Sequence, residues 1–301
     1  MGDRDRRWLL AAAQNRVGRI QEKLGRLQDA EASHRNSLGL YGQLDLGSST
    51  PGDKLRLAGT HLDLGTLLFK RGRNEEAENH LRVALRVQEE LLPSDSDPRD
   101  RRYQLVLYSP FLSKCHFELG VLLAATGRPK EAEDNYLEAL SLLREVSGTR
   151  QSPEDPISLA DGLLESKIHY YLGDLFRTTD RIMRAENAYR EAQASLDQLA
   201  KRYSNNPGYR EVLAENLNDF ASFLNDTGRA QEAVVTRRKA LELAKALVHE
   251  FPSSFSYKSK LASYYYNLAH HLSGNSADQE AEDAYRQALA IQKQLATDVP
   301  T

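Results

Sequence analysis

The sequence predicts an all-α protein, an α-solenoid of about six antiparallel helix pairs. Three observations predict it: a motif around EAE recurs along the chain, apolar residues in each copy have helical spacing, and no sustained apolar–polar alternation indicates a strand. The copies align on Ala30, Ala77, Ala132, Ala185, Ala233 and Ala281. The spacings between these alanines are 47, 55, 53, 48 and 48 residues. A period in this range is typical of a solenoid.

Two further small residues keep a constant distance from each alanine. Twelve residues before it stand Gly18, Gly65, Gly120, Gly173, Ala221 and Ala269. Seven residues after it stand Ser37, Ala84, Ala139, Ala192, Ala240 and Ala288. Because these distances hold while the outer spacing varies, each copy is a rigid unit and the loops between copies differ in length. Small side chains also let two helices approach closely.

Each copy is predicted to be a pair of helices. In the second copy, THLDLGTLLFKRG places Leu64, Gly65 and Leu68 on one helical stripe. Gly72 is expected to end this helix in the left-handed conformation, and Asn74 to cap the next one. The predicted domain is a single array over residues 1–301, with repeats at about 4–50, 51–97, 98–152, 153–205, 206–252 and 253–301.

The fourth copy carries the pattern most fully, as Leu172, Gly173, Phe176, Ala185, Tyr189 and Ala192. This pattern resembles the tetratricopeptide repeat (TPR). The first copy departs from it at Gln21 and His34, and the fifth at Arg237. The long period is similar to that of the long-helix variety in kinesin light chains and in arrays attached to bacterial serine/threonine kinases. The resemblance implies a right-handed superhelix in which the first helix of each repeat lines a concave groove.

Composition excludes several classes of function. The formal net charge of −3 and the pI of about 6.3 leave no basic footprint for nucleic acid. The single cysteine, Cys115, allows no internal disulfide and fits a reducing compartment. The apolar run WLLAAA is too short to span a membrane, and the segment before it mixes Asp with Arg, which argues against a signal peptide. We therefore expect a cytoplasmic protein with neither membrane nor nucleic-acid partners.

No catalytic, cofactor or metal site is predicted. The sequence has no Gly-rich phosphate loop, GxSxG elbow or HExxH motif. His61, His116 and His169 occupy one equivalent position in successive repeats. Helices in contact lie about 8–10 Å apart, so these three side chains cannot converge on one ion. They are predicted to be structural, Cys115 to be a buried inert thiol, and the protein not to be an enzyme.

A partner-binding groove is predicted on the side of each first helix that faces away from its packing stripe. These are positions 2, 5, 9 and 12 when the small residue is numbered 8. The groove residues are Leu62, Phe69, Lys114, Phe117, Val121, Lys167, Tyr170, Asp174, Arg177, Asn218 and Tyr266. Phe69, Phe117 and Tyr170 are expected to form one ladder. The alternative is that these side chains pack between neighbouring first helices.

The leading hypothesis is a non-catalytic scaffold that binds a peptide or protein segment and is part of, or partner to, a larger signalling protein. Lys114, Lys167 and Arg177 favour a segment that mixes apolar residues with Asp or Glu. The alternatives are a ligand-sensing regulatory domain with a small molecule in the groove, and a purely structural self-assembling array. Leu289, Ile291 and Leu295 have little predicted cover. We therefore expect either a longer native chain or self-association through the C-terminal helix.

Overall fold

The computed structural model describes residues 3–43, 50–91, 98–147, 156–273 and 277–298. Within these ranges the chain forms twelve α-helices and no strand. The helices are α1 (Asp3–Lys23), α2 (Leu27–Gly42), α3 (Pro51–Lys70), α4 (Asn74–Glu89), α5 (Pro98–Ala125), α6 (Pro129–Ser147), α7 (Pro156–Thr178), α8 (Ile182–Arg202), α9 (Pro207–Asp226), α10 (Ala230–Glu250), α11 (Phe255–Ser273) and α12 (Asp278–Asp298). The all-α prediction of six consecutive helix pairs is confirmed.

The chain divides into two compact units, an N-terminal unit of residues 1–161 and a C-terminal unit of residues 162–301. In the N-terminal unit α1 packs on α2, α3 on α4 and α5 on α6, and contacts of α2 with α3 and of α4 with α5 join the pairs. In the C-terminal unit α9 packs on α10 and α11 on α12, while α8 contacts α9 and α10 contacts α11. Within each unit, helix pairs therefore pack on their sequence neighbours, as in a solenoid. That residues 1–301 form one array stays a prediction.

The turn inside a repeat depends on one residue with positive φ. These residues are Gly25 (φ 75°), Gly72 (φ 76°), Gly127 (φ 77°), Asp180 (φ 59°) and Gly228 (φ 78°). The left-handed backbone lets the next amide reach back to the end of the first helix, as Arg73 N donates to Leu68 O at 3.0 Å. The prediction for Gly72 is confirmed. The prediction for Asn74 is wrong, because the turn is so short that Arg73 holds the N-cap position and Asn74 already belongs to α4.

The small residues of the pattern lie where a second-helix side chain rests on the first helix. All six aligned alanines are buried. A Cβ atom on Gly120 would lie 2.6 Å from Cε1 of Tyr136 and 3.3 Å from the carbonyl oxygen of Ala132. One on Gly173 would lie 2.9 Å from Cδ1 of Tyr189. The glycines therefore allow a tyrosine ring to pack directly against the helix backbone.

We expect Gly120→Ala to lower the free energy of unfolding by about 1–3 kcal/mol, the usual cost of overpacking. Gly39→Ala is the matched control, since Gly39 lies in α2 and an added Cβ would meet nothing within 4 Å. That control should raise the free energy of unfolding by about 1 kcal/mol, because alanine is the better helix former. Urea unfolding followed by circular dichroism measures both changes. Equal stabilisation by both substitutions would contradict the close contact.

Ion pairs join the second helices of successive repeats. The arginine that follows the turn contacts the glutamate that follows the aligned alanine of the preceding repeat. These pairs are Arg73–Glu31 and Arg128–Glu78, both at 2.6 Å, and Arg229–Glu186 at 2.7 Å. Each glutamate also pairs with an arginine four residues later in its own helix, in Glu31–Arg35, Glu78–Arg82 and Glu186–Arg190. Pairs that involve exposed side chains contribute little stability, so we interpret this series as marking the register between repeats.

Candidate partner-binding surface

The predicted groove residues are divided between the two units. In the N-terminal unit Leu62 and Phe117 are buried, Phe69 and Val121 are half-buried and Lys114 is exposed. In the C-terminal unit Asn218 is buried, Tyr266 is exposed, and the half-buried ones are Lys167, Tyr170, Asp174 and Arg177. A single ladder of Phe69, Phe117 and Tyr170 therefore stays a prediction. The burial of Leu62, Phe117 and Asn218 leaves little of these side chains open to a partner.

Five of these residues share one position, three residues before the small residue of their repeat. They are Leu62, Phe117, Tyr170, Asn218 and Tyr266. The expectation that this position faces away from the second helix is wrong, because three helical steps of 100° leave it only about 60° from the small residue. Ring centroids confirm the contact within the repeat. The distances are 6.1 Å for Phe117–Tyr136, 6.2 Å for Tyr170–Tyr189 and 5.5 Å for Tyr266–Tyr285.

The same position also contacts the first helix of the next repeat. The Tyr170 hydroxyl donates to Asp219 Oδ2 at 2.6 Å, and Asn267 Nδ2 donates to Asn218 Oδ1 at 3.2 Å. Burial, together with the neighbouring Asp219 carboxylate, raises the pKa of Tyr170. In the N-terminal unit the equivalent contact is Asn15 Nδ2 to Asp63 Oδ2 at 2.9 Å. These contacts support the alternative, packing between first helices, for Tyr170 and Asn218.

In the C-terminal unit, a buried arginine of α10, Arg237, forms hydrogen bonds with side chains of the first helix α9. Arg237 is 2% exposed, and its guanidinium donates to Asn218 Oδ1 at 2.8 Å and to Ser222 Oγ at 3.0 Å. Asn218 Nδ2 in turn donates to Asp219 Oδ1 at 3.0 Å. Burial lowers the pKa of Arg237, while the charges of Asp219 and Asp226 act in the opposite direction. Sequence reasoning missed this network, although Arg237 replaces the leucine or tyrosine of other repeats and was a visible signal.

The three cations of the predicted groove differ in their partners. Arg177 already pairs with Asp174 at 2.7 Å and lies 3.8 Å from Asp226, so its charge is largely offset. For Lys114 and Lys167, no ion pair is found among the residues that the structure describes. An acidic group on a partner would therefore meet an unpaired cation at Lys114 or Lys167 rather than at Arg177.

The three equivalent histidines each have a partner on the second helix of their own repeat. His61 Nδ1 lies 2.8 Å from His80 Nδ1, His116 Nδ1 lies 3.0 Å from Asn135 Oδ1, and His169 Nδ1 lies 2.8 Å from Glu191 Oε2. These contacts support the structural role that the spacing predicts. Within the described ranges, no three His, Cys, Asp or Glu side chains are grouped so as to hold a metal ion.

Cys115 is buried, and burial raises the pKa of its thiol, which disfavours the reactive thiolate. Among the residues that the structure describes, no helix combines the length and the apolar character needed to cross a membrane.

Two segments of the chain match the family profile of the tetratricopeptide repeat, residues 58–98 and 118–156. These two segments are tetratricopeptide repeats. The matched segments cover most of α3–α4, and the end of α5 (residues 118–125) with α6, which belong to the second and third predicted pairs. The predicted resemblance to the tetratricopeptide repeat is therefore confirmed in these two pairs. No curated protein matches the sequence.

Several solved structures share the TPR-like fold. BtubC (BKLC) from P. vanneervenii is 21% identical with a TM-score of 0.65, and the match covers 91% of this chain and 94% of BtubC. The apo form of RapI is 12% identical with a TM-score of 0.58 over 95% of this chain and 99% of RapI. The Rap conjugation gene regulator of plasmid pLS20, solved with the Phr* peptide, is 12% identical with a TM-score of 0.55 over 94% of this chain and 74% of its own. At these identities the likeness concerns the fold alone.

Proposed function

We propose that this TPR chain is a non-catalytic cytoplasmic scaffold that binds a protein or peptide segment on the sides of its first helices. We further propose that it is part of, or partner to, a larger signalling protein. One observation carries the proposal: the half-buried apolar side chains Phe69 and Val121 lie on two successive first helices together with the exposed Lys114, which has no ion pair among the described residues. These helices belong to the two repeats that match the family profile.

The chemistry of this surface favours a particular kind of segment. Phe69 and Val121 offer apolar area that a partner side chain can bury, and apolar anchors supply most of the energy in such contacts. Lys114 offers a charge that an Asp or Glu on the partner can pair with, which adds specificity and speeds encounter. We therefore propose a partner segment that mixes apolar and acidic residues. That a Rap protein has been solved with a bound peptide supports peptide binding by this fold.

A random peptide library displayed on phage provides the test, since it needs no knowledge of the native partner. Peptides enriched on this protein are expected to contain Asp or Glu beside apolar residues. We expect Lys114→Glu to weaken the best peptide about tenfold, because it replaces attraction by repulsion at a close contact. Isothermal titration calorimetry measures the affinity.

Lys130→Glu is the matched control for this test. Lys130 is equally exposed but lies on a second helix, α6, so the same change of charge should leave the affinity nearly unaltered. Equal losses in both variants, or enriched peptides without acidic residues, would count against the proposed surface.

A second contact surface is proposed on the C-terminal pair, through which the chain self-associates. Tyr266 on α11 and Leu289 on α12 are each 54% exposed, and a cavity of about 490 Å³ lies beside them. This volume also falls within the range of small-molecule sites, about 300–1,000 Å³, and so bears on the sensor alternative. The residues that line the cavity favour a helix as its occupant, because they are the positions that the first helix of a following repeat would cover.

A further inference from the structure

The first helix, α1, exposes a stripe of apolar side chains. Val17 is 42% exposed, Ile20 58% and Leu10 55%. Ala13 and Leu24 are also exposed, and the five residues follow one another at intervals of three and four. Such spacing places them on one side of a helix. Exposed apolar stripes of this length mark interaction surfaces.

In every later repeat the same positions are buried. The residues equivalent to Val17, one before the small residue, are Leu64, Leu119, Leu172, Phe220 and Leu268, and all are buried. The residues equivalent to Ile20 are Leu67, Leu122, Leu175, Phe223 and His271, and all are buried as well. This stripe is therefore the side of a first helix that packs against the preceding repeat.

The contact between the fourth and fifth repeats shows how this side is covered. The rings of Phe220 and Phe223 each lie 5.6 Å from the ring of Tyr189 on the preceding second helix. Tyr189 is 1% exposed as a result. A tyrosine on the second helix thus packs against two apolar residues of the next first helix, and these two residues are three apart in sequence.

The last pair, α11 and α12, has the equivalent surface, and no helix packs on it among the described residues. Tyr285 occupies the position of Tyr189 but is only half-buried, and it lines the 490 Å³ cavity with Tyr266 and Leu289. Leu289 is 54% exposed, whereas its equivalents Leu85, Leu140 and Leu241 are buried and Leu38 and Gln193 are half-buried. Gln292 is likewise exposed where its equivalents Gln88, Leu143, Leu196 and Ala244 are buried.

We propose that two copies of this chain associate head to tail. The head is α1 of one copy, and it packs on the tail, α11 and α12, of the other. Val17 and Ile20 then contact Tyr285 as Phe220 and Phe223 contact Tyr189. In effect α1 acts as the first helix of a further repeat on the second copy. The occupant is a second copy because this chain itself carries the complementary stripe in the required register.

The ion pairs between repeats support the same register independently. In the internal pairs, an arginine that follows the turn contacts the glutamate after the aligned alanine of the preceding repeat. Arg26 is the first such arginine, and no ion pair of Arg26 is found in the described part of the chain. Glu282 is the last such glutamate, and it already pairs with Arg286 at 2.6 Å, as Glu31 pairs with Arg35. The proposed joint brings Arg26 to Glu282 and continues the series.

Two single-residue variants block the two ends separately. Ile20→Asp places a charge in the stripe of α1, and Leu289→Asp places one in the tail, on α12. An unpaired charge buried in an apolar contact costs several kcal/mol. The association constant of each variant should therefore fall by at least about a hundredfold. Both positions are exposed in the single chain, so folding should be unaffected, which thermal melts by circular dichroism check. Leu137→Asp, at an exposed leucine of α6, is the control and should associate like the unaltered chain.

Sedimentation equilibrium over a wide range of concentration gives the decisive result. The unaltered chain is expected to exceed the mass of a dimer as concentration rises, because each copy keeps a free head and a free tail. Each Asp variant alone is expected to stay monomeric. An equal mixture of the two should form dimers and nothing larger, since one variant supplies an intact tail and the other an intact head.

Three outcomes overturn the proposal: a monomeric unaltered chain at all concentrations, self-association of either variant alone, or a mixture that does not combine. Charge reversal gives a second test, in which Arg26→Glu or Glu282→Arg weakens association about two- to fivefold and the double variant restores it. None of these changes touches Lys114, so this proposal and the proposed peptide binding can fail separately.

Discussion

Phe117→Ala is expected to lower the free energy of unfolding by about 3–5 kcal/mol, the usual cost of removing a buried aromatic ring. Phe117 is 7% exposed, and its ring centroid lies 6.1 Å from that of Tyr136. Truncation therefore leaves a cavity between α5 and α6 instead of an empty pocket on the surface. Urea unfolding followed by circular dichroism measures the loss.

Phe255→Ala is the matched control, because Phe255 is 54% exposed on α11. Its effect should stay within about 0.5 kcal/mol, as for most surface substitutions. If Phe117 instead lined a partner-binding groove, its replacement would abolish partner binding at nearly constant stability. An unaltered unfolding midpoint for Phe117→Ala would restore that first interpretation.

Acidification is expected to destabilise the N-terminal unit through His61. Burial, and then the charge of His80 at 2.8 Å, lower the pKa of His61 from 6.5 to about 4. Because the folded-state pKa is the lower one, the unfolded chain binds more protons between these two values. The contribution of the neutral His61 to the free energy of unfolding is therefore fully present above pH 6.5, and it is lost as the pH falls to about 4. A shift of this size corresponds to roughly 3 kcal/mol.

The change in unfolding free energy between pH 7 and pH 4 should be smaller in His61→Leu by about that amount. Leucine suits the position, since Leu217 occupies it in the fifth repeat. His80→Asn gives an intermediate case, because it recreates the His116–Asn135 pair of the third repeat and removes only the neighbouring charge. Parallel curves for the unaltered chain and His61→Leu would show that His61 does not titrate in this window.

Local features of the fold were predictable because short segments determine them. A glycine such as Gly72 adopts positive φ at little cost, so its place in the repeat indicates a turn. Helical spacing and small residues such as Gly120 likewise predict two helices in close contact. The N-cap was less predictable, because the tight turn moved it from Asn74 to Arg73.

The binding surface was harder to predict, since one stripe of a helix can face either of two neighbours. Spacing grouped Phe117, Tyr170 and Asn218 correctly as equivalent residues. It assigned them to the wrong side, because a position only 60° from the packing stripe still reaches the second helix. Arg237 appeared in the sequence only as a departure from the pattern. Its partners Asn218 and Ser222 lie 19 and 15 residues away, so folding alone brings the network together.

The sequence by itself determined the repeat, its helix pairs, its turns and its resemblance to the tetratricopeptide repeat. Tertiary structure alone decided which of several equivalent side chains are covered. Val17 and Ile20 have the same place in the pattern as Leu64 and Leu67, yet the first two are exposed and the last two are buried. The physical reason is that helical spacing is set within about a turn of chain, whereas burial depends on which other helix lies alongside.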